Sequence, residues 1–121
     1  MGSAFTPHVK ALVHLRAGGR CDRCGITVQA AQFHHRRARG MGGTSREESG
    51  EAANCLLLHP ACHEYIERHR TESYDKGWLV HQYDEPTLVP VQVQGRWCIL
   101  FDNATVSFLS AGAGRGSPPL R

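Results

Sequence analysis

Large apolar side chains are scarce in this chain. Four phenylalanines, three tyrosines and two tryptophans stand against thirteen glycines and six prolines in 121 residues. So glycine-rich a chain reads as loop-rich and short of material for a self-sufficient hydrophobic core, so a further source of stability is expected. No stretch is long and apolar enough for a membrane-spanning helix, and Met1 to Phe5 lacks the apolar run of a secretory signal. The expectation is a cytoplasmic protein with no membrane association. Thiols there stay reduced, and paired cysteines point to metal rather than to disulfides. No internal repeat is present.

What the chain does have is five cysteines and eight histidines. Its formal net charge of +3 is modest, but the distribution is uneven: Arg16, Arg20, Arg23, Arg36, Arg37, Arg39 and Arg46 all fall in the first half. A basic half beside clustered histidines suits a polyanionic partner.

Cys21-Asp22-Arg23-Cys24-Gly25 has the form of half a zinc knuckle, a tight turn that aims two sulfurs at one point, with glycine taking the bend. A redox-active pair would need a strand before it and a helix beginning at it, whereas here a helix precedes it. His59-Pro60-Ala61-Cys62 repeats the two-residue spacing, so Cys21, Cys24, His59 and Cys62 make a closed set of three sulfurs and one nitrogen for structural zinc. Cys55 is the competing fourth ligand; set among Leu56, Leu57 and Leu58, it otherwise reads as a small buried hydrophobe.

Around these ligands the pattern predicts short elements. Thr6-Pro7 caps a helix that carries Val9, Leu12 and Val13 and ends at Gly18-Gly19. Strands are expected near Gln32 to Arg36 and from Asn54 to Leu58, paired with each other, and a helix from Cys62 to Arg70. A further helical turn ends at Gly77, followed by the apolar Trp78-Leu79-Val80. Gln94-Gly95 between two apolar runs signals a hairpin, with a third strand near Val106. Residues 1–83 thus form one unit, 84–110 a β-hairpin extension, and 111–121 a tail of disordered composition.

His34, His35 and His63 remain once the four zinc ligands are assigned, and they adjoin those ligands in sequence. Neighbours on a regular strand point to opposite faces, so His34 and His35 cannot both ligate one ion and two roles are expected.

His35, Asn54 and His63 resemble the His-Asn-His pattern of the HNH endonuclease family, within Cys21-x-x-Cys24, His34-His35, Gly42-Gly43, Asn54 and His59-x-x-Cys62-His63. The resemblance spans residues 20 to 70; more loosely, the ending Gly77-Trp78-Leu79-Val80, with a hairpin after it, resembles small HNH proteins of actinobacterial phages. It implies an α+β fold: a small ββα-metal domain stapled by a structural zinc, with an N-terminal helix and the C-terminal hairpin. It also implies a metal-dependent DNA endonuclease. His35 would take a proton from the attacking water, and His34 and His63 would hold a catalytic divalent metal (Mg2+, Mn2+, Ni2+ or Zn2+). Asn54 would orient His35, and Arg36, Arg37 and Arg39 would clamp phosphates, with His69 a lesser candidate for a third metal contact. Two departures stand out: most members have cysteine at the position of His59, and many have aspartate at that of His34, although a subset has histidine there. Implied partners are double-stranded DNA and a phage terminase, with the protein in the bacterial host cytoplasm as monomer or homodimer. The alternative from the residues themselves is a zinc-binding module that holds nucleic acid or protein without cutting.

Overall fold

The computed structural model describes residues 4–38 and 50–109. Short helices combine with antiparallel strands, as the spacing predicted. Helix α1 spans Pro7–Ala17; the Thr6 hydroxyl accepts from the Val9 amide at 3.1 Å, and Gly18 at φ 68° closes the helix. Strands β1 (Gln32–His35) and β2 (Cys55–Leu58) pair antiparallel, with His34 opposite Leu56 and His35 opposite Cys55. Asn54 lies outside β2, at the end of a 3-10 turn, Ala52–Asn54. Helix α2 (Pro60–Arg68) follows directly, then α3 (Arg70–Asp75). A second sheet, β3 (Val91–Val93), β4 (Arg96–Leu100) and β5 (Val106–Phe108), runs antiparallel in the order β3-β4-β5. Gln94 and Gly95, with φ of 50° and 85°, give the β3–β4 turn the two left-handed residues that a twisted hairpin requires.

The alternation of β2 divides the core. Cys55 and Leu57 pack with Phe5, Val13 and Ala17 beneath α1, whereas Leu56 and Leu58 pack with Cys62, Ile66 and Trp78. Val91, Cys98 and Leu100 belong to this second cluster, so the C-terminal sheet completes the core around α2. The tail at 111–121 and the basic loop carrying Arg39, Gly42 and Gly43 lie outside the described residues.

Arg36 and Arg37 correct the sequence reading. Both are fully buried, and neither faces solvent as a phosphate clamp must. The Arg36 guanidinium donates to four main-chain carbonyls: Gly77 (2.9 Å), Ala53 (2.8 Å), Pro86 (3.1 Å) and Val89 (2.9 Å). Arg37 donates to the Asp84 carbonyl at 2.7 Å and pairs with Glu85 at 3.5 Å. Burial lowers the Arg36 pKa to about 9, which still leaves it charged at neutral pH. Trp78-Leu79-Val80 then runs beside the end of β1, the Val80 amide donating to the Arg36 carbonyl at 2.8 Å.

Gly77 is where two chain segments cross. Its φ is 80°, and a Cβ there would overlap the Pro90 carbonyl oxygen and lie 2.7 Å from the Val91 Cα. Gly95 shares the positive φ but faces open space. Gly77→Ala should therefore lower the unfolding free energy by roughly 3 kcal/mol or more and Gly95→Ala by only about 1 kcal/mol, read from urea midpoints. Equal midpoints for the two variants would contradict the crossing.

Candidate functional site

The first turn of α2 serves two clusters of side chains. His59 is the N-cap residue and Cys62 stands three positions on, while His63 and Glu67, four apart, share another side of the same helix. Pro60 at the first helical position fixes the entry, and the Cys62 and His63 amides both donate to the His59 carbonyl, at 3.0 and 3.1 Å. The His59 imidazole does not cap the helix; its Nε2 lies 3.4 Å from Cys24 Sγ.

Cys21, Cys24, His59 and Cys62 form the first cluster, with one potential ligand atom from each lying within 4.8 Å of all the others. Cys55 is not among them: it is buried in the core under α1, where burial pushes its thiol up to about 12. The knuckle is fastened to β2 through Asp22, whose amide donates to the Leu57 carbonyl (2.7 Å) and whose carboxylate accepts from the Leu57 amide (2.8 Å). The thiols differ. Burial alone would raise Cys21, but the main-chain amides of Cys24, His59 and Arg23 outweigh it and hold the thiol below its ordinary value. Burial pushes Cys62 up to about 12, with the neighbouring Cys21 and Cys24 adding to the rise and Arg23 opposing it. Three thiols so close do not ionise together without a cation between them, and three sulfurs with one imidazole are the donor set zinc takes in a closed site. Arg23 supplies further positive charge: its Nη1 lies 3.2 Å from Cys62 Sγ while its guanidinium stacks 3.6 Å over Tyr65.

His34, His63 and Glu67 form the second cluster, again within 4.8 Å. The His34 and His63 rings meet edge to face, with centroids 5.1 Å apart. Each imidazole has one nitrogen already committed. His34 Nε2 donates to the Trp78 carbonyl at 2.9 Å, and His63 Nδ1 donates to Gln32 Oε1 at 2.7 Å. The remaining nitrogens, Nδ1 of His34 and Nε2 of His63, are the ones left for a ligand, and metal-binding histidines are commonly oriented by such a bond from the other nitrogen. Burial draws the His34 pKa down to about 4, with the Trp78 carbonyl opposing the shift, so this imidazole is neutral at physiological pH.

Sequence reasoning passed over Glu67, although its place four residues after His63 on one helix was a usable signal. His69, the lesser candidate, is elsewhere: its ring stacks on Tyr65 at 3.9 Å and its Nδ1 donates to the Tyr65 carbonyl. Asn54 secures the strand end beyond His35. Its Oδ1 accepts from the Arg37 amide at 2.6 Å and its Nδ2 donates to the Arg37 carbonyl at 3.2 Å.

His35 faces the other side of β1 from His34. Its ring stacks on Phe5 with centroids 4.0 Å apart and planes 18° from parallel. An open groove of about 630 Å3 is lined by Phe5, Lys10, Gln32, Phe33, His35 and His63, so residues from both faces of β1 reach one opening.

Two outcomes follow. Purified protein should carry about one tightly held zinc per chain, and Cys21→Ser should lose both the zinc and the cooperative unfolding transition; a folded zinc-free protein would contradict the assignment. The second concerns His34. Its folded pKa lies below the unfolded value of 6.5, so its contribution to stability is complete above pH 6.5 and is lost as pH falls toward 4. By pH 5.5 that loss is about 1 kcal/mol. Asp22, raised by burial to about 6 against the pull of Arg16, has the opposite sign and offsets part of the decline. His34→Gln should therefore show a shallower loss of stability between pH 6.5 and 5.5 than the wild type. Identical slopes, or a residue 34 imidazole that titrates near 6.5 by NMR, would contradict the buried neutral ring. In comparisons with known proteins, no family model, curated protein or solved structure matches the chain.

Proposed function

We propose that this chain is a metal-dependent endonuclease of the HNH class that hydrolyses phosphodiester bonds in double-stranded DNA. The observation that carries the reading is that His63, which clusters with His34 and Glu67 as a potential divalent-cation site, lines the same groove as His35, a separate imidazole on the opposite strand face. A zinc-only binding module uses Cys21, Cys24, His59 and Cys62 and gives no reason for this second cluster.

Two imidazole nitrogens and one carboxylate oxygen fit a borderline first-row cation such as Mn2+, Ni2+ or Zn2+, and tolerate Mg2+ through the carboxylate. His34, His63 and Glu67 would hold such an ion, which would supply positive charge to offset the charge that develops on a phosphate during hydrolysis. His35 accepts the proton of the attacking water. Asn54 contributes by fixing the main chain at Arg37, two residues beyond His35. With Arg36 and Arg37 buried, Lys10 is the exposed cation among the groove residues, its ammonium 5.5 Å from the Phe33 ring centroid, and it takes a flanking phosphate. The looser resemblance of the Gly77-Trp78-Leu79-Val80 ending and its hairpin to small phage HNH proteins adds the proposal that the cut serves DNA packaging beside a terminase.

Plasmid nicking in the presence of Mg2+, Mn2+, Ni2+ or Zn2+ tests this reading. Wild type should cut with at least one of them, His35→Ala should lose about a hundredfold or more in rate, and Lys10→Ala should weaken binding with a reduced salt dependence. Cutting that survives loss of His35 would sink the mechanism. A pure, zinc-loaded wild type that cuts under no metal would leave the binding module.

A further inference from the structure

The second face of the His35 ring environment belongs to a residue far from any motif. Phe5 precedes the N-cap of α1, yet it is only 7% exposed. It lies flat against His35 at 4.0 Å between centroids, and the two rings line the groove together. Its position is fixed at both ends of the helix. Thr6 accepts the Val9 amide at 3.1 Å, and Arg16 donates to the carbonyls of Ala52 (2.9 Å) and Cys55 (2.6 Å). Cys55 is the residue paired with His35 across the β1–β2 ladder, so α1 is docked onto the very rung that carries the imidazole.

We propose that Phe5 is a positioning residue that sets the plane of the His35 ring at the groove. This rests on the nuclease reading for its catalytic consequence, although the ring geometry stands without it. A parallel aromatic face at van der Waals distance blocks rotation of the imidazole about its Cβ–Cγ bond, because any large turn drives a ring edge into the phenyl group. It leaves the in-plane nitrogens at the ring edge, the direction in which a proton is exchanged. A base whose plane is fixed before substrate arrives avoids the loss of rate that accompanies a misplaced group. Simple core filling is the competing role, and it makes a different demand: an aliphatic side chain of similar size would serve.

Phe5→Leu keeps the burial and removes the flat face; Phe5→Tyr and Phe5→Trp keep the face. The first measurement is the NMR position of the His35 ring protons in the zinc-loaded protein. They should lie upfield in the wild type through the phenyl ring current, move downfield in Phe5→Leu, and stay upfield in Phe5→Tyr. The second is plasmid nicking, in which Phe5→Leu should lower kcat roughly tenfold with KM nearly unchanged, and Phe5→Tyr or Phe5→Trp should restore it. A wild type without the upfield shift, or a folded Phe5→Leu with full kcat, overturns the proposal. A wild type that shows the shift but cuts no DNA sinks the nuclease reading and with it the catalytic role of Phe5, while the shift itself still establishes the stacked ring.

Discussion

The guanidinium of Arg36 ties the chain together at the point where its chemistry begins. Four carbonyls from three distant stretches, at Ala53, Gly77, Pro86 and Val89, converge on one side chain with no exposure to solvent. A buried charge is tolerable only when its donors are met, and here the backbone meets them. The consequence reaches the site directly. Arg36 holds the Gly77 carbonyl, and His34, two residues earlier in β1, holds the next carbonyl, that of Trp78. That bond assigns the proton of His34 to Nε2 and leaves Nδ1 for a ligand. Strand β1 and the segment after α3 are thus locked in a register that decides the tautomer of a candidate metal ligand.

Helix α2 shows how few residues are needed once that frame exists. Within nine residues it contributes His59 and Cys62 to one cluster and His63 and Glu67 to another. The first cluster brings together three thiols and an imidazole, the four donors that a closed zinc site takes. The second, with two imidazoles and one carboxylate, has fewer potential ligands. The closed cluster fastens the knuckle to the start of α2, and Asp22 fastens the same knuckle to β2, so any movement of His63 relative to His34 is opposed from two directions.

Much of this was legible in the sequence. The paired two-residue spacings gave the four zinc-type ligands, strand alternation separated His34 from His35, and Gln94-Gly95 gave the hairpin. Those signals are local: each depends on spacing within one element or turn. The misreadings share the opposite character. Arg36 and Arg37 look like surface charges because the partners of their guanidinium groups lie 17 to 53 residues away and are mostly main-chain carbonyls, which leave no trace in side-chain pattern. Phe5 sits outside every motif and reaches His35 only because α1 folds back over β2. Glu67 is different, since its spacing four residues after His63 on one helix is a local signal of the same kind as the zinc-type spacings.

The division of labour between a closed and an open cluster is the claim on which the rest stands. Anomalous diffraction from crystals of the zinc-loaded protein grown with Mn2+ tests it most directly, with data collected on both sides of the zinc edge and at a longer wavelength. Two separate peaks are predicted: zinc among Cys21, Cys24, His59 and Cys62, and manganese against His34, His63 and Glu67. A single zinc peak, with no manganese between His34 and His63, would contradict it.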